Sequence, residues 1–276
     1  MFAQGSVVFF DSGVGGLPYL AAARELLPGV AMHYVADDAG FPYGTKTPRQ
    51  IEDLLLERMR RIRSRLLPSA IVVACNTASQ VGLPALRAAH PDIPFIGTVP
   101  AIKPAAASTE AGVVGILATE RTVADPYLDD LIARHASDVE VVKLAAQSLV
   151  SFVEKRFLGS SEEERRAAVA PFVENLLERG ADRIILACTH FLHLERDIGA
   201  YCAARGFEKA RIVDSRHGVT NRLVQLVEDG TISLHPAETP DGQGLSGKFL
   251  LTSEPPFDPV YSLWTDRFGL REPERL

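Results

Sequence analysis

The chain has 276 residues, of which 46% are hydrophobic and 23% charged, and its formal net charge is −6. This composition is typical of a globular protein with one large or two medium cores, without the basic runs that bind nucleic-acid backbones. No apolar stretch is long enough for a membrane span, so we expect neither a nucleic-acid nor a membrane partner. Without a signal-peptide pattern, and with only three cysteines, the sequence predicts a cytoplasmic protein whose thiols stay free.

Strands and helices alternate along the first part of the chain. Apolar β-branched runs predict strands at 7–10, 33–36, 70–74 and 95–97, and helical spacing predicts helices over 18–26, 48–66 and 80–89. Pro18 suits the first turn of its helix. We interpret the arginines from Arg58 to Arg65 as the solvated face of the second helix.

A second, similar series follows. It has strands at 112–119, 139–144 and 183–187, with helices over 123–135, up to 157 and over 162–179. The tail adds a strand at 210–213, a helix over 220–229, a strand at 248–252 and a helix over 261–268, and it is expected to rejoin the first unit. The Pro/Gly-rich stretch 235–247 is predicted to be a surface loop.

This alternation predicts an α/β fold with two pseudosymmetric parallel-sheet domains and the active site in the cleft between them. The predicted first domain is discontinuous and comprises residues 1–97 and 212–276. The second comprises residues 98–211.

Two cysteines end two similar apolar runs, one in each half of the chain. Cys75 follows 70–74 and Cys188 follows 183–187, and both runs are short and β-branched, as buried parallel strands are. Ligands bind at the carboxyl ends of such strands, so two equivalent thiols predict two acid–base or nucleophilic groups that face one substrate. A lone buried cysteine is usually inert packing, and the second copy, with His190 beside it, favours chemistry.

A glycine-rich turn follows the first predicted strand and opens the first helix. Its sequence, Asp11-Ser-Gly-Val-Gly-Gly-Leu17, either holds an anion on its backbone N–H groups or is purely structural. It is not a dinucleotide-binding fingerprint, because Pro18 takes the place of the last glycine. The segment 38–47 is either an ordinary loop or a loop that carries Tyr43 and Gly44 into a cleft.

Other cysteine chemistries fit the spacing less well. A phosphatase loop needs an arginine six positions after its cysteine, where this chain has Val81 and Leu194. A zinc site built from the second cysteine, His190 and His193 lacks paired Cys-x-x-Cys spacing, so no metal site is predicted. We interpret His193 as a packing residue and Cys202 as a core residue of an amphipathic helix.

Five motifs, in order over almost the whole chain, closely resemble those of glutamate racemases. They are Phe10-Asp-Ser-Gly-Val-Gly-Gly-Leu, Pro42-Tyr-Gly-Thr-Lys-Thr, Ala74-Cys-Asn-Thr-Ala-Ser, Val99-Pro-Ala-Ile-Lys-Pro-Ala and Cys188-Thr-His-Phe. The resemblance implies an isomerase that interconverts L- and D-glutamate to supply D-glutamate for peptidoglycan synthesis. It implies no cofactor, neither pyridoxal phosphate nor metal, and two domains that enclose glutamate at their interface.

The resemblance also implies roles for individual residues. Cys75 and Cys188 would be proton acceptor and donor, exchanging roles with the direction of the reaction and assisted by Asp11, His190 and Glu154. The residues implied in substrate binding are Asp11, Ser12, Tyr43, Gly44, Asn76, Thr77, Thr189 and His190. Two opposed thiols agree with inversion at an α-carbon, since a single base tends to return the proton that it took.

Some segments depart from the family's common pattern. The stretch 146–154 lacks a proline that many members carry and, like 99–105, resembles the Gram-negative type. That type includes enzymes activated by a uridine-linked muramyl-alanine precursor, so the resemblance implies such an activator as a partner. Arg216 and His217 replace the small or acidic residues usual after Asp214-Ser215. Whether the protein is a monomer or a homodimer stays open.

Three other functions also stay open. The first is a related racemase or decarboxylase that acts on another acid, such as aspartate or a hydantoin. The second is a non-catalytic role in which the scaffold binds a partner protein. The third is a cysteine hydrolase, for which one thiol suffices. Both cysteines argue against a one-cysteine decarboxylase, and the glycine-rich phrase favours glutamate over aspartate.

Overall fold

A computed structural model describes residues 5–234 and 247–276. The strands are β1 (Ser6–Asp11), β2 (Ala31–Ala36), β3 (Ala70–Val73), β4 (Phe95–Gly97), β5 (Val113–Ala118), β6 (Glu140–Ala145), β7 (Arg183–Leu186), β8 (Arg211–Val213), β9 (Phe249–Leu251) and β10 (Glu274–Arg275). The helices are α1 (Leu17–Leu26), α2 (Pro48–Leu66), α3 (Asn76–Ala89), α4 (Ile102–Ser108), α5 (Glu120–Val123), α6 (Pro126–His135), α7 (Gln147–Lys155), α8 (Glu162–Glu178), α9 (Glu195–Ala204), α10 (Arg216–Glu228) and α11 (Val260–Phe268). Short 3-10 helices occupy Tyr43–Thr45, Phe157–Gly159 and Thr189–Leu194.

The strands form two parallel sheets, each in its own compact unit. One unit runs to Thr98 and resumes at Arg216–Leu276, and the other is Val99–Ser215. The strand orders are β10-β9-β2-β1-β3-β4 and β6-β5-β7-β8. The order β2-β1-β3-β4 in the first sheet is repeated by β6-β5-β7-β8 in the second, with the strand before each predicted cysteine in the same place. The predicted class of two pseudosymmetric parallel-sheet α/β domains is therefore confirmed.

The strand at 210–213 was predicted to belong to the first unit, and this prediction was wrong. This strand is β8 and pairs with β7 in the second sheet, with Arg211 opposite Arg183 and Val213 opposite Ile185. Helix α9 connects β7 to β8, and such a short crossover brings the next parallel strand beside the preceding one. The second unit accordingly extends to Ser215, beyond the predicted boundary.

Helix α2 has the bounds predicted for it from the spacing of its apolar residues, and the structure shows a cap at each end. Gln50 N–H donates to Thr47 Oγ1 at 3.3 Å and Thr47 N–H donates to Gln50 Oε1 at 2.9 Å, which completes a capping box ahead of Pro48. At the other end Leu67 takes the left-handed conformation, with φ 47° and ψ 51°.

Helix α3 begins at Asn76, earlier than the predicted start at Gln80. Asparagine and threonine are weak helix formers, so nothing local marks Asn76 and Thr77 as the first turn of a helix. Tertiary contacts override that preference. Ser79 Oγ donates to Val73 O at 2.8 Å and accepts from Thr98 N–H at 3.0 Å, which fixes the first turn of α3 between two strands.

Three other helices differ from their predictions. The helix predicted over 123–135 is interrupted between α5 and α6, where Asp125 Oδ1 accepts from Tyr127 N–H at 3.0 Å and caps α6. Helix α10 begins at Arg216 instead of Thr220, and α4 was not predicted.

Each unit contains its own hydrophobic core. The first includes Val8, Phe10, Val35, Ile51, Leu55, Met59, Ile71, Val73 and Leu86. The second includes Ile102, Val114, Ile116, Leu128, Leu131 and Ile185. Of the predicted surface loop 235–247, residues 235–246 lie outside the described residues. Among the helices that the structure describes, none combines the length and apolar character needed to cross a membrane.

Candidate active-site residues

The first thiol lies at the carboxyl end of β3. Cys75 is buried and is the N-cap residue of α3, so negative charge on its sulfur faces the positive end of that helix dipole. Ser12 Oγ lies 3.8 Å from Cys75 Sγ and 3.3 Å from Asp11 Oδ1, which also accepts from Ser12 N–H at 2.6 Å. Asp11 ends β1, the neighbour of β3, so the sheet itself brings Asp11 and Ser12 to the thiol.

Asn76 and Thr77 form the first turn of α3 beside Cys75. Both are buried, with 4% of each residue exposed. Asn76 Nδ2 and Oδ1 have no hydrogen-bond partner in the part of the chain that the structure describes. A buried amide without partners costs free energy, which a polar ligand that pairs with it recovers. The Asn76 amide can therefore pair with a polar ligand.

The predicted Tyr43–Gly44 turn forms part of a 3-10 helix, and its tyrosine is anchored to β2. Tyr43 Oη donates to Asp37 Oδ2 at 2.6 Å, and Asp37 directly follows β2. Burial raises the pKa of Tyr43 well above its usual value of 10, and the charges of Asp37 and then Cys75 add to the rise. The phenol is therefore neutral. Tyr43 and Cys75 belong to the same cluster of buried residues.

The glycine-rich turn is partly committed to internal hydrogen bonds. Gly16 N–H donates to Tyr34 Oη at 3.0 Å, and that hydroxyl donates to Gly13 O at 2.8 Å. A Cβ atom at Gly16 would lie 2.8 Å from Ala74 Cβ, so glycine allows α1 to begin close to the residue before Cys75. One N–H group that the sequence offered for anion binding is thus already used by the fold.

The second thiol lies just beyond β7. Cys188 is buried and precedes the 3-10 helix that begins at Thr189, which is itself 2% exposed. His190 Nδ1 lies 3.8 Å from Cys188 Sγ, and His190 Nε2 lies 2.6 Å from Glu154 Oε1. Glu154 is carried by α7, and all these side chains belong to the second unit.

His190 is placed to carry a positive charge. Burial by itself lowers the pKa of His190, but hydrogen bonds to Cys188 and Glu154, together with their negative charges, raise it well above the usual 6.5. An imidazolium donates from both ring nitrogens, and each nitrogen here faces one acceptor. The site can therefore hold a thiolate, an imidazolium and a carboxylate in a row.

Two further polar residues, Asp37 and Thr119, lie just beyond strands of the two sheets and were not among the predicted site residues. Thr119 follows β5, the neighbour of β7, as Asp11 and Ser12 end or follow β1, the neighbour of β3. Its Oγ1 accepts from Thr122 N–H at 3.3 Å. The repeat in the sequence already places Thr119 in the position equivalent to Asp11 and Ser12, whereas nothing local in the sequence marks Asp37.

The residues interpreted as packing have packing contacts. The His193 ring contacts the Phe157 ring, with centroids 5.7 Å apart. Cys202 is buried in α9, and this burial raises the pKa of its thiol to about 11. Over residues 5–234 and 247–276, no three His, Cys, Asp or Glu side chains are grouped to hold a metal ion. The three cysteines, all inside the described ranges, form no disulfide.

Arg216 and His217, which depart from the family's usual sequence, open α10. Their backbone carbonyls accept from Thr220 Oγ1 at 2.9 and 3.2 Å. The structure gives no further account of these two substitutions.

Each of the two α/β units has the same strand order and a buried thiol beyond its third strand, which is the pattern expected of an enzyme that uses two thiols. The family model for Asp/Glu/Hydantoin racemase matches residues 19–217. Glutamate racemase of Proteus mirabilis is 42% identical over 231 residues, which cover 82% of this chain and 77% of that protein. Glutamate racemase of Sphingopyxis alaskensis is 40% identical over 225 residues, covering 80% and 82%.

A solved structure matches over nearly the full length. Escherichia coli glutamate racemase, in complex with L-glutamate and the activator UDP-MurNAc-ala, has 33% sequence identity and a TM-score of 0.85, with 99% of this chain and 98% of that chain covered. The chain therefore belongs to the Asp/Glu/Hydantoin racemase family and, within it, to the glutamate racemases. The resemblance seen in the five sequence motifs is confirmed.

Proposed function

We propose that this protein interconverts L- and D-glutamate by proton transfer between Cys75 and Cys188. The observation that carries the proposal is the repeated thiol arrangement, in which each cysteine contacts a side chain that is itself bonded to a carboxylate. Cys75 is joined through Ser12 to Asp11, and Cys188 through His190 to Glu154. Relatives with this activity cover most of the chain.

The reaction needs one thiolate and one thiol. The thiolate takes the α-proton of glutamate and leaves a planar carbanion, and the thiol on the other face donates its proton to that carbon. The product is the opposite enantiomer, and the two sulfurs have exchanged protonation states. An imidazolium at His190 stabilises negative charge on the Cys188 sulfur whenever that sulfur is the thiolate. No redox step occurs, and both proton carriers are side chains of this chain.

The neighbouring polar groups are proposed to hold the substrate. The Asn76 amide and the hydroxyls of Ser12, Thr77 and Thr189 supply neutral donors to the glutamate carboxylates and to the charge that develops on the α-carboxylate. Gly44 supplies a backbone N–H group to the same substrate. Asp11 and Glu154 offer negative charge to the α-ammonium, whose retained positive charge stabilises the carbanion.

The activity is tested by incubation with L-glutamate in deuterated water. We expect optical rotation to fall to zero while deuterium enters the α-position, since the proton delivered comes from a thiol that exchanges with solvent. Turnover of another acid, such as aspartate, with neither signal from glutamate, would overturn the proposal in favour of a sister enzyme. Release of a hydrolysis product would favour the one-thiol alternative.

The two-thiol assignment is tested with alanine variants of the three cysteines. Cys75→Ala and Cys188→Ala should each lower kcat for racemisation by at least about 10²–10⁴-fold. Any remaining α-deuterium uptake should be confined to one enantiomer, and to opposite enantiomers in the two variants. Cys202→Ala is the matched control, a buried thiol outside the proposed site, and should racemise like the wild type. Substantial racemisation by either of the first two variants would refute the assignment.

We further propose that a uridine-linked muramyl-alanine precursor activates the enzyme. The support is the 33% identity over 99% of the chain with the E. coli enzyme, whose structure holds the activator UDP-MurNAc-ala. Addition of this compound should raise kcat/KM, and UDP alone serves as the control. A rate that stays unchanged at saturating activator would contradict this proposal.

The proposed product places the enzyme in peptidoglycan synthesis, and hence in cell-wall biogenesis and cell shape. We propose that it acts in the cytoplasm, where a reducing environment keeps its reactive thiols from oxidation.

A further inference from the structure

Asp37 is a fully buried carboxylate next to the proposed site, and its side chain is bonded to three different parts of the first unit. Its Oδ2 accepts from Tyr43 Oη at 2.6 Å. Its Oδ1 accepts from Arg58 Nε at 2.8 Å and from Thr252 Oγ1 at 2.6 Å. Its backbone N–H donates to Asp11 O at 2.8 Å. Asp37 thus connects the proposed acid–base group at the end of β1 to the Tyr43 turn.

The charge of Asp37 is compensated by Arg58. The Arg58 side chain is 13% exposed, so it is not part of the solvated face predicted for the arginine run. A buried ion pair contributes little net stability, because the cost of removing both charges from water offsets their attraction. Apolar residues would fill the same space at no greater cost. We therefore interpret the Asp37–Arg58 pair as an interaction that holds nearby groups in a defined position and adds little to stability.

The group whose geometry it fixes is the Tyr43 turn. Residues Tyr43–Thr45 make a single 3-10 turn, which has few hydrogen bonds of its own. The bond from Tyr43 Oη to Asp37 ties this turn to the end of β2. Because the phenol proton is donated to Asp37, it is not available to a ligand.

We infer that Asp37 is a positioning residue that holds the Tyr43–Gly44 turn against the substrate through the Tyr43 hydroxyl. Tyr43 and Gly44 then contact glutamate through the ring, the phenol oxygen as an acceptor, and backbone groups. The inference rests on the proposed function, since it concerns how the proposed substrate is held.

The test is Asp37→Asn, with KM and kcat measured separately. Arg58 and Thr252 both need the oxygen of the new amide, so its NH2 group turns toward the Tyr43 hydroxyl. The short bond to a carboxylate is then replaced by a weaker neutral bond in which the amide donates, and this bond occupies the phenol oxygen that the substrate would use. We expect KM for glutamate to rise about tenfold, while kcat changes less than about threefold because both thiols stay in place. Tyr43→Phe should raise KM by a similar factor, and the double variant should be no worse than either single variant.

Asp38→Asn is the matched control. Asp38 is the next carboxylate in the same loop, and it accepts from the backbone N–H groups of Thr252 and Ser253 at 2.9 Å. It shares the Thr252 hydroxyl with Asp37, but within the described residues it makes no hydrogen bond to Tyr43. It should lower the melting temperature without raising KM.

The outcomes separate this inference from the proposed function. A wild type that does not racemise glutamate overturns the proposed function. A racemising wild type with unchanged KM in both Asp37→Asn and Tyr43→Phe, or with effects that add in the double variant, overturns this inference alone.

Discussion

At the scale of single residues, the two thiols are supported by different partners. Cys75 contacts a neutral hydroxyl, that of Ser12, at 3.8 Å. Cys188 contacts the imidazole of His190 at the same distance, and His190 in turn pairs with Glu154. A serine hydroxyl stays neutral as the pH changes, whereas an imidazole gains or loses a positive charge. The pH dependence of the reaction should therefore originate mainly on the Cys188 side.

Replacement of Glu154 by glutamine should shift that pH dependence. The carboxylate raises the pKa of His190, so its removal lowers that pKa and the imidazolium is lost at a lower pH. We expect kcat to fall about tenfold or more, and the alkaline limb of the kcat/KM profile to move to lower pH. Glu174→Gln, which removes an ion pair with Arg205 elsewhere in the same unit, should leave the profile unchanged. An alkaline limb that does not move would show that His190 is not the group that titrates.

The same pKa shift has a consequence for stability. A histidine whose pKa is raised by folding stabilises the native state below about pH 6.5, and this contribution is lost as pH rises through the raised value. Glu154→Gln should therefore lower the free energy of unfolding more at pH 6 than at alkaline pH, as measured by urea denaturation.

At the scale of elements, the groups around Cys75 lie where helices begin at the carboxyl ends of neighbouring strands. α1 and α3 both begin beside the end of β3, and Gly16 at the start of α1 lies against Ala74. The helical spacing of apolar residues predicted the bounds of α2, and its capping box involves only residues at the start of the same helix. Such local patterns did not predict the start of α3, because Ser79 is held by Val73 and Thr98, which come from other elements.

Gly16→Ala should destabilise the protein and impair catalysis. The added Cβ would meet Ala74 Cβ at 2.8 Å and Ala74 O at 2.9 Å, and the backbone oxygen cannot rotate away. Overpacking of this kind costs about 1–3 kcal/mol, so the melting temperature should fall by about 2–10 °C, with lower kcat because Cys75 is adjacent. Gly218→Ala in α10 is the control, since nothing lies within 4 Å of its Cβ and alanine favours helix. Equal melting temperatures for the two variants would show that α1 can shift to make room for the added methyl group.

At the scale of the whole molecule, two units with the same strand order each contribute one thiol to the proposed chemistry. If glutamate is the substrate, its binding must stabilise the folded chain by mass action. At a concentration of about 100 times Kd, we expect about 2.7 kcal/mol of added stability and a melting temperature higher by about 5–10 °C. L-aspartate at the same concentration is the control, and an equal shift with aspartate would favour a sister racemase. The measurement is a thermal unfolding scan that monitors near-UV circular dichroism.

The sequence by itself determined the alternation of strands and helices, the repeat of two cysteine-ended strands and the family. These features depend on local periodicity and on motifs whose residues are contiguous in the chain. Tertiary structure alone decided that β8 pairs with β7, that Glu154 reaches His190, and that Asp37 anchors Tyr43. Each of these depends on contacts between elements far apart in sequence, and such contacts form only when parallel strands and their crossover helices have packed.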